Sequence, residues 1–198
     1  MITYENTIIL SWVIYILVWI VSAFNVKRDM HRGSGHQSRF WLVLLWLSFV
    51  ILFISIRVAT GKALKINPGV IFSQGIFPQF QLIGWIAAVV TIIGVVIAIW
   101  ARVNLGRNWS SKPAVKENHE LVTTGPYAYV RHPVYTGVIL MAFGIAITGS
   151  IFGIGAFIIA SFFYILRIGK EEKIMQEIFP NEYPEYRKRT KRLIPFVW

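Results

Sequence analysis

Of 198 residues, 56% are hydrophobic and only 15% charged, against about a quarter charged in an average soluble domain. With apolar runs of membrane length, this argues against a soluble domain and for one compact integral membrane protein. The net charge of +11 does not signal a nucleic-acid partner, because the cations fall in loops beside apolar runs; the absence of cysteine excludes disulfides, thiolate metal sites and cysteine nucleophiles.

Residues 7–24 are the first expected span, near the roughly 20 helical residues that cross a ~30 Å hydrocarbon core. They lack a basic leader and a small-residue cleavage site and read as a retained span. Residues 25–39 carry Lys27, Arg28, Arg32 and Arg39 with Gly33 and Gly35 and read as a cytosolic loop. His31 and His36 in that loop are solvated among basic neighbours rather than metal ligands. Residues 40–60 form the second expected span, with Arg57 near its far end. Residues 61–79, with Lys62, Lys65, Pro68 and Pro78, form a loop, and residues 80–100 the third span.

Residues 101–133 are a polar block. The following 134–167 are about thirty residues of apolar sequence, too long for one ordinary span and barely enough for two. Gly144, Gly149, Gly153 and Gly155 with Thr148 and Ser150 predict a tight helical hairpin turning near Gly149-Ser150, with two short arms. Its small residues would let neighbouring helices approach closely. One kinked helix is the alternative. Residues 170–179 read as a short separate helix, and Pro180, Pro184 and Pro195 punctuate the tail.

Lysine and arginine number four in 25–39, five in 101–133 and eight in 167–198, against Lys62 and Lys65 alone in 61–79. By the positive-inside tendency this predicts five spans, the N-terminus outside and the C-terminus cytosolic. The expected fold is therefore all-α integral membrane: a three-span region (1–100), then a catalytic region (101–198) made of a cytosolic cofactor loop (101–133), a hairpin (134–167) and a cytosolic tail (168–198).

Ionisable residues cluster on both sides of the hairpin, and a bilayer protein seldom tolerates this unless they line a site. In Arg131-His132-Pro133 the proline suits a first helical turn, which places Arg131 and His132 at the membrane-surface start of a helix whose terminus favours negative groups. Taken by itself, the triplet reads as a snorkelling arginine and a turn. Arg167 and Glu171, four apart, share a helix face: an ordinary ion pair, or groups with separate partners, Arg167 a carboxylate and Glu171 the amino or hydroxyl groups of a cofactor. Glu172 faces elsewhere and reads as a solvated charge. Tyr183 and Tyr186 by themselves read as interfacial belt residues. No glycine-rich dinucleotide fingerprint and no metal-ligand cluster occurs.

The ordered motifs Leu105-Gly106-x-Asn108-Trp109, His119-x-Leu121-Val122-Thr123-Thr124-Gly125-Pro126-Tyr127, Arg131-His132-Pro133-x-Tyr135-x-Gly137 and Glu171-Glu172-x(6)-Phe179-x(3)-Tyr183-x(2)-Tyr186 resemble the isoprenylcysteine carboxyl methyltransferase family over positions 101–195. The resemblance implies an integral membrane enzyme using S-adenosylmethionine. It carries cofactor contacts onto His119, Glu120, Leu121, Val122, Tyr127, His132, Pro133, Val134, Tyr135 and Glu171, and a substrate carboxylate onto Arg167. One position departs: Lys112 stands where eukaryotic members have a cofactor-contacting glutamine. Asn108 and Trp109 would support the loop.

A carboxylate with a reference pKa of about 4 reaches such a site ionised and needs no general base, so alignment and exclusion of water can supply the catalysis. Arg167 would orient the acceptor, and His132 would act as a base only for a thiol or amine. The expected partners are the bilayer and a hydrophobic or lipidated methyl acceptor of prenylcysteine type. The alternatives are a thiol or lipid-amine acceptor, or a nicotinamide-dependent membrane reductase of similar architecture. A transport role is weak, since Arg57 is the only charge inside the first three expected spans.

Overall fold

The computed structural model describes residues 2–23, 81–106 and 120–198. Among these the protein is all-helical: α1 (Tyr4–Ala23), α2 (Gln81–Leu105), a 3-10 turn (Gly125–Ala128), α3 (Pro133–Ile147), α4 (Ile151–Ile178) and α5 (Glu182–Arg189). Three helices, at 4–22, 81–105 and 153–178, are long and apolar enough to cross a membrane, and α3 is a shorter apolar helix. The integral-membrane, all-α class read from the sequence is the one observed. The expected second span (40–60) and both flanking loops lie outside the described residues.

α1 starts three residues before the predicted span. Thr3 accepts the Asn6 N–H through Oγ1 (3.3 Å) and the Thr7 N–H through its carbonyl (3.1 Å), and Glu5 in the first turn suits the helix dipole. α2 runs five residues beyond the predicted end. Arg102, expected in a loop, is buried in its last turn and donates to the carbonyls of Gly106 and Ser22, each at 2.7 Å. One guanidinium thus satisfies terminal carbonyls on two helices, work that a loop cation could not do. Gly106, at φ +51, closes α2 in the left-handed conformation.

In lipid, helices associate through close packing and polar contacts, since the tails are as apolar as the side chains. Gly84 lies under the Tyr4 ring, where a Cβ would meet Cδ1 at 2.6 Å. Ile8, Ala87 and Ala88 form the buried core between α1 and α2. The α2–α3 contact is closer still: a Cβ on Gly94 would lie 2.6 Å from the Gly137 carbonyl, and one on Gly137 2.6 Å from that of Gly94. The small residues anticipated for close approach therefore act on α2 as much as within the hairpin.

The hairpin forms where the glycines and Ser150 placed it, and the single kinked helix does not. α3 ends at Ile147, Gly149 turns at φ +76, and Ser150 caps α4 by accepting the Gly153 N–H at 3.4 Å. A Cβ on Gly153 would come within 2.6 Å of Ile145 Cγ2, so the arms meet closely at the turn. The arms are unequal, however: α3 has 15 residues and α4 has 28. The separate helix expected at 170–179 is the uninterrupted end of α4, because nothing between Gly155 and Phe179 breaks it. At 1.5 Å per residue α4 is about 42 Å long, which exceeds a ~30 Å hydrocarbon core and carries Glu171 and Glu172 past its edge.

Candidate active site

Four pieces of chain meet at the start of α3: the 3-10 turn, the first turn of α3, the far end of α4, and the segment after α5. The 3-10 turn depends on Gly125, at φ +59, which packs against the Asn104 side chain with no room for a Cβ. Pro126 and Tyr127 are buried beneath it. Pro133 opens α3 at its first position and is fully buried, which presents His132 as N-cap and Tyr135 one turn inside.

Tyr135 Oη donates to the Glu171 carboxylate, 2.6 and 2.7 Å from its two oxygens. Arg167 Nε donates to Glu171 Oε1 at 2.7 Å, and its guanidinium lies 5.9 Å from the Tyr135 ring centroid. The His132 ring stacks on Tyr135 (5.5 Å, 5°), and Tyr135 stacks on Tyr164 (4.4 Å). His132 lies between two carboxylates: Nδ1 is 3.8 Å from Glu171 Oε2 and Nε2 is 3.6 Å from Glu172 Oε1. Nε2 is buried and has no hydrogen-bond partner. The Arg167–Glu171 pair read from the i,i+4 spacing is thus formed, with Tyr135 as its third member.

Behind this face lies a second set of charges. Glu172 is buried, its side chain 6% exposed like that of Arg131, whose Nε donates to it at 2.9 Å. Arg192 donates to the other oxygen from two nitrogens, at 3.2 and 3.3 Å. Arg131 also donates to the carbonyls of Arg187 and Thr190. Glu172 is therefore not the solvated charge expected: a 100° step around α4 carries it from the Glu171 face to the face that α3 and the tail cover. The tail locks there through backbone bonds, Arg131 N–H to the Lys191 carbonyl (2.7 Å) and His132 N–H to that of Arg192 (3.0 Å).

Tyr183 and Tyr186 are not belt residues either, at 2% and 3% exposed. Their i,i+3 spacing turns both inward, and Tyr186 Oη donates to the Tyr127 carbonyl at 2.7 Å. Burial, reinforced by the neighbouring Glu172 charge, pushes the Tyr183 phenol up to about 12. Burial first, then the neighbouring Tyr186, raises Tyr127 well above the ordinary phenol range, and burial followed by the neighbouring Tyr183 does the same to Tyr186. All three are neutral hydrogen-bonding groups at physiological pH.

Among the residues named from the sequence, His132, Pro133, Tyr135, Arg167 and Glu171 come together. Tyr127 is buried close by, and Val134 is half-buried between Pro133 and Tyr135. Glu120 is exposed and Leu121 and Val122 are partly exposed in an extended stretch leading to the 3-10 turn. His119, Lys112, Asn108 and Trp109 lie outside the described residues. Tyr164 was missed in the sequence, although its signal was present: it carries the one hydroxyl in the run Phe162-Phe163-Tyr164, three residues before Arg167 and on its helix face.

The profile of the isoprenylcysteine carboxyl methyltransferase (ICMT) family matches residues 86–177, which take in most of α2, all of α3 and α4 as far as Glu177. Under half of the chain is thus similar to that family, and the match falls on the helices that build the site. A probable protein-S-isoprenylcysteine O-methyltransferase of Oryza sativa subsp. indica is 28% identical over 129 residues, 62% of this chain and 68% of that protein. The Schizosaccharomyces pombe protein-S-isoprenylcysteine O-methyltransferase is 37% identical over 101 residues, 49% of this chain and 43% of its own. The human one is 27% identical over 128 residues, 61% and 45%. In fold, the solved eukaryotic intramembrane Ras methyltransferase ICMT superposes with a TM-score of 0.52 at 23% identity, covering 83% of this chain and 54% of that one. The chain thus spans from under half to about two thirds of the length of these relatives. The matched family segment stops before Phe179, Tyr183 and Tyr186, so the packing of the tail against the site is visible only in the structure.

Proposed function

We propose that the face formed by His132, Tyr135, Tyr164, Arg167 and Glu171 binds S-adenosylmethionine beside the carboxylate of a prenylcysteine-like or other hydrophobic acceptor. The similarity to isoprenylcysteine carboxyl methyltransferases supports a carboxyl methyltransferase of the membrane over a reductase of similar architecture. The observation that carries the reading is the convergence of Tyr135 and Arg167 on Glu171, with the His132 ring stacked on Tyr135.

The donor set fits S-adenosylmethionine. A carboxylate suits an ammonium group, and stacked rings suit a heteroaromatic base and a cationic centre. In this reading Glu171, His132, Pro133, Val134, Tyr135 and Tyr127 hold the donor, with His119, Glu120, Leu121 and Val122 as its further contacts. Bound there, S-adenosylmethionine supplies an electrophilic methyl group for in-line displacement.

Each protein group then has a limited task. Arg167 fixes the acceptor carboxylate through its guanidinium fork and is itself held by Glu171. Tyr135 holds Glu171 with a phenol hydrogen bond and walls the site with its ring. No proton needs removing from an ionised carboxylate, so His132 is a binding group; with a thiol or amine acceptor it would become the base. The apolar face of α4, with Ile158, Ile159, Phe162 and Leu166 exposed, suits lateral approach of a lipid tail. The site and both neighbouring cationic segments are assigned to the cytosolic side, the N-terminus outside, with residues 1–100 as the membrane anchor and 101–198 as the catalytic region.

Isothermal titration in detergent with S-adenosylmethionine and with its demethylated product tests the donor. Absence of binding of both at millimolar concentration would remove the proposal. A radiolabelled methyl-transfer screen over prenylcysteine analogues, thiols and membrane lipid extracts then identifies the acceptor.

A further inference from the structure

The last described residues are tied down at one end and bare at the other. The Leu193 carbonyl accepts from Thr136 Oγ1 at 2.7 Å and the Arg192 carbonyl from His132 N–H at 3.0 Å. Arg192 and Leu193 therefore lie against the first turn of α3, at the level where its apolar run begins. Beyond them the chain closes on itself. Leu193 and Ile194 N–H donate to the Trp198 carbonyl at 2.8 Å, and Val197 and Trp198 N–H to the Ile194 carbonyl at 3.2 Å.

The product is a preformed hook with Phe196 at its bend, at φ +66, a backbone region that bulky L-residues avoid. Its side chain is 87% exposed, with Val197 at 71% and Ile194 at 52%. A strained turn that holds three apolar side chains outward gains nothing in water. Arg189 and Lys191 beside it are exposed, and Arg192 sits over the Trp198 ring at 5.7 Å. Bare aliphatic and aromatic groups flanked by cations, at the level where the apolar helix α3 begins, match the chemistry of an acidic lipid surface.

We propose that residues 193–198 are an interfacial anchor: Ile194, Phe196 and Val197 enter the headgroup–acyl boundary of the leaflet at which α3 starts, and the adjoining cations engage anionic headgroups. The inference rests on the membrane-spanning fold and not on the transferase reading. Its consequence for the site is direct, since Arg192, immediately before the hook, holds His132 by its backbone and Glu172 by its side chain. A hook seated in lipid tethers the rim of the site to the membrane surface.

The chain has no native cysteine, so Phe196→Cys and, separately, Val197→Cys provide unique sites for a nitroxide. The full chain would be placed in nanodiscs of phosphatidylcholine, alone or mixed with phosphatidylglycerol, with exposed Glu182→Cys as the aqueous reference. At both hook positions the ratio of oxygen to nickel-chelate collision rates should exceed the reference ratio several-fold, and rise further in the anionic discs. Chelate access equal to that at position 182 would overturn the anchor. Shielding from oxygen and chelate alike would overturn it in favour of a protein cover such as a second copy. Equal depth in both lipids would overturn the assignment to anionic headgroups. None of these readings depends on methyl transfer.

Discussion

Replacing Glu172 with alanine should destabilise the protein far more than replacing its neighbour Glu171. The Glu172 carboxylate accepts from Arg131 at 2.9 Å and from Arg192 at 3.2 and 3.3 Å. The Arg131 and Glu172 side chains are each 6% exposed, whereas that of Arg192 is 33% exposed. Removing one member of a buried ion pair leaves an uncompensated charge and costs about 3–5 kcal/mol. Arg192 can turn toward water, so we expect the lower end, about 3 kcal/mol, and about half of that for Glu172→Gln, which keeps an acceptor and loses the charge. Glu171 and Arg167, at 19% and 23% exposed, form a pair of the partly solvated kind, and Glu171→Ala should cost under ~1 kcal/mol. Unfolding in mixed micelles of rising dodecyl sulfate content, followed by tryptophan fluorescence, measures the difference. A loss below ~1 kcal/mol for Glu172→Ala, or an equal loss for Glu171→Ala, would refute the division into a structural and a ligand-facing carboxylate.

Arg167→Ala should raise KM for a carboxylate acceptor roughly 10- to 150-fold, the equivalent of a charge-assisted hydrogen bond of about 1.5–3 kcal/mol, with kcat changed much less; steady-state kinetics at saturating donor measures it. Gly94→Val places atoms where a Cβ alone would lie 2.6 Å from the Gly137 carbonyl and 2.8 Å from the Met141 nitrogen. Both are backbone atoms, so the change should cost about 1–3 kcal/mol or more in the same micelle titration, by forcing α2 and α3 apart. For pH, the Tyr183 phenol is raised to about 12 in the fold, against about 10 unfolded. The unfolded chain then loses its proton first, so this contribution is whole below pH ~10 and is lost as pH rises toward 12. Stability of the wild type should fall across that window, less steeply in Tyr183→Phe.

The parts of the fold legible in the sequence are those set by local chemistry. The hairpin turn was visible because Gly149 supplies a positive φ and Ser150 a cap, and neither needs a partner elsewhere in the chain. The Arg167–Glu171 pair was visible because four residues is one helical turn. Glu172, Tyr183 and Tyr186 were misread for a shared reason: each is polar, and its partner is remote in sequence. Arg131 is 41 residues from Glu172, and Tyr127 is 59 from Tyr186. A polar residue with an invisible partner looks solvated or interfacial. Arg102 failed likewise, its partner Ser22 lying 80 residues away. Tyr164 was hidden differently, by the lipid-facing aromatics around it.

The unequal arms of the hairpin are what make a site from these separate readings. Two arms of equal length would both end at the membrane surface, and the carboxylates at 171 and 172 would have no helix to stand on. α3 stops short because Pro133 fixes its start 16 residues before the turn at Gly149, whereas α4 continues past the level of that start. The overhang sets Arg167, Glu171 and Glu172 beside His132 and Tyr135, with consecutive glutamates on different faces of one helix. One face receives Tyr135 and Arg167 and stays partly open; the other receives Arg131 and Arg192 and is closed by the tail. Shortening α4 by a turn within 156–162 would keep its apolar character but rotate and withdraw both carboxylates. It should therefore abolish donor binding in a chain that still inserts into membranes, and calorimetry on that variant separates the offset from hydrophobicity as the feature that builds the site.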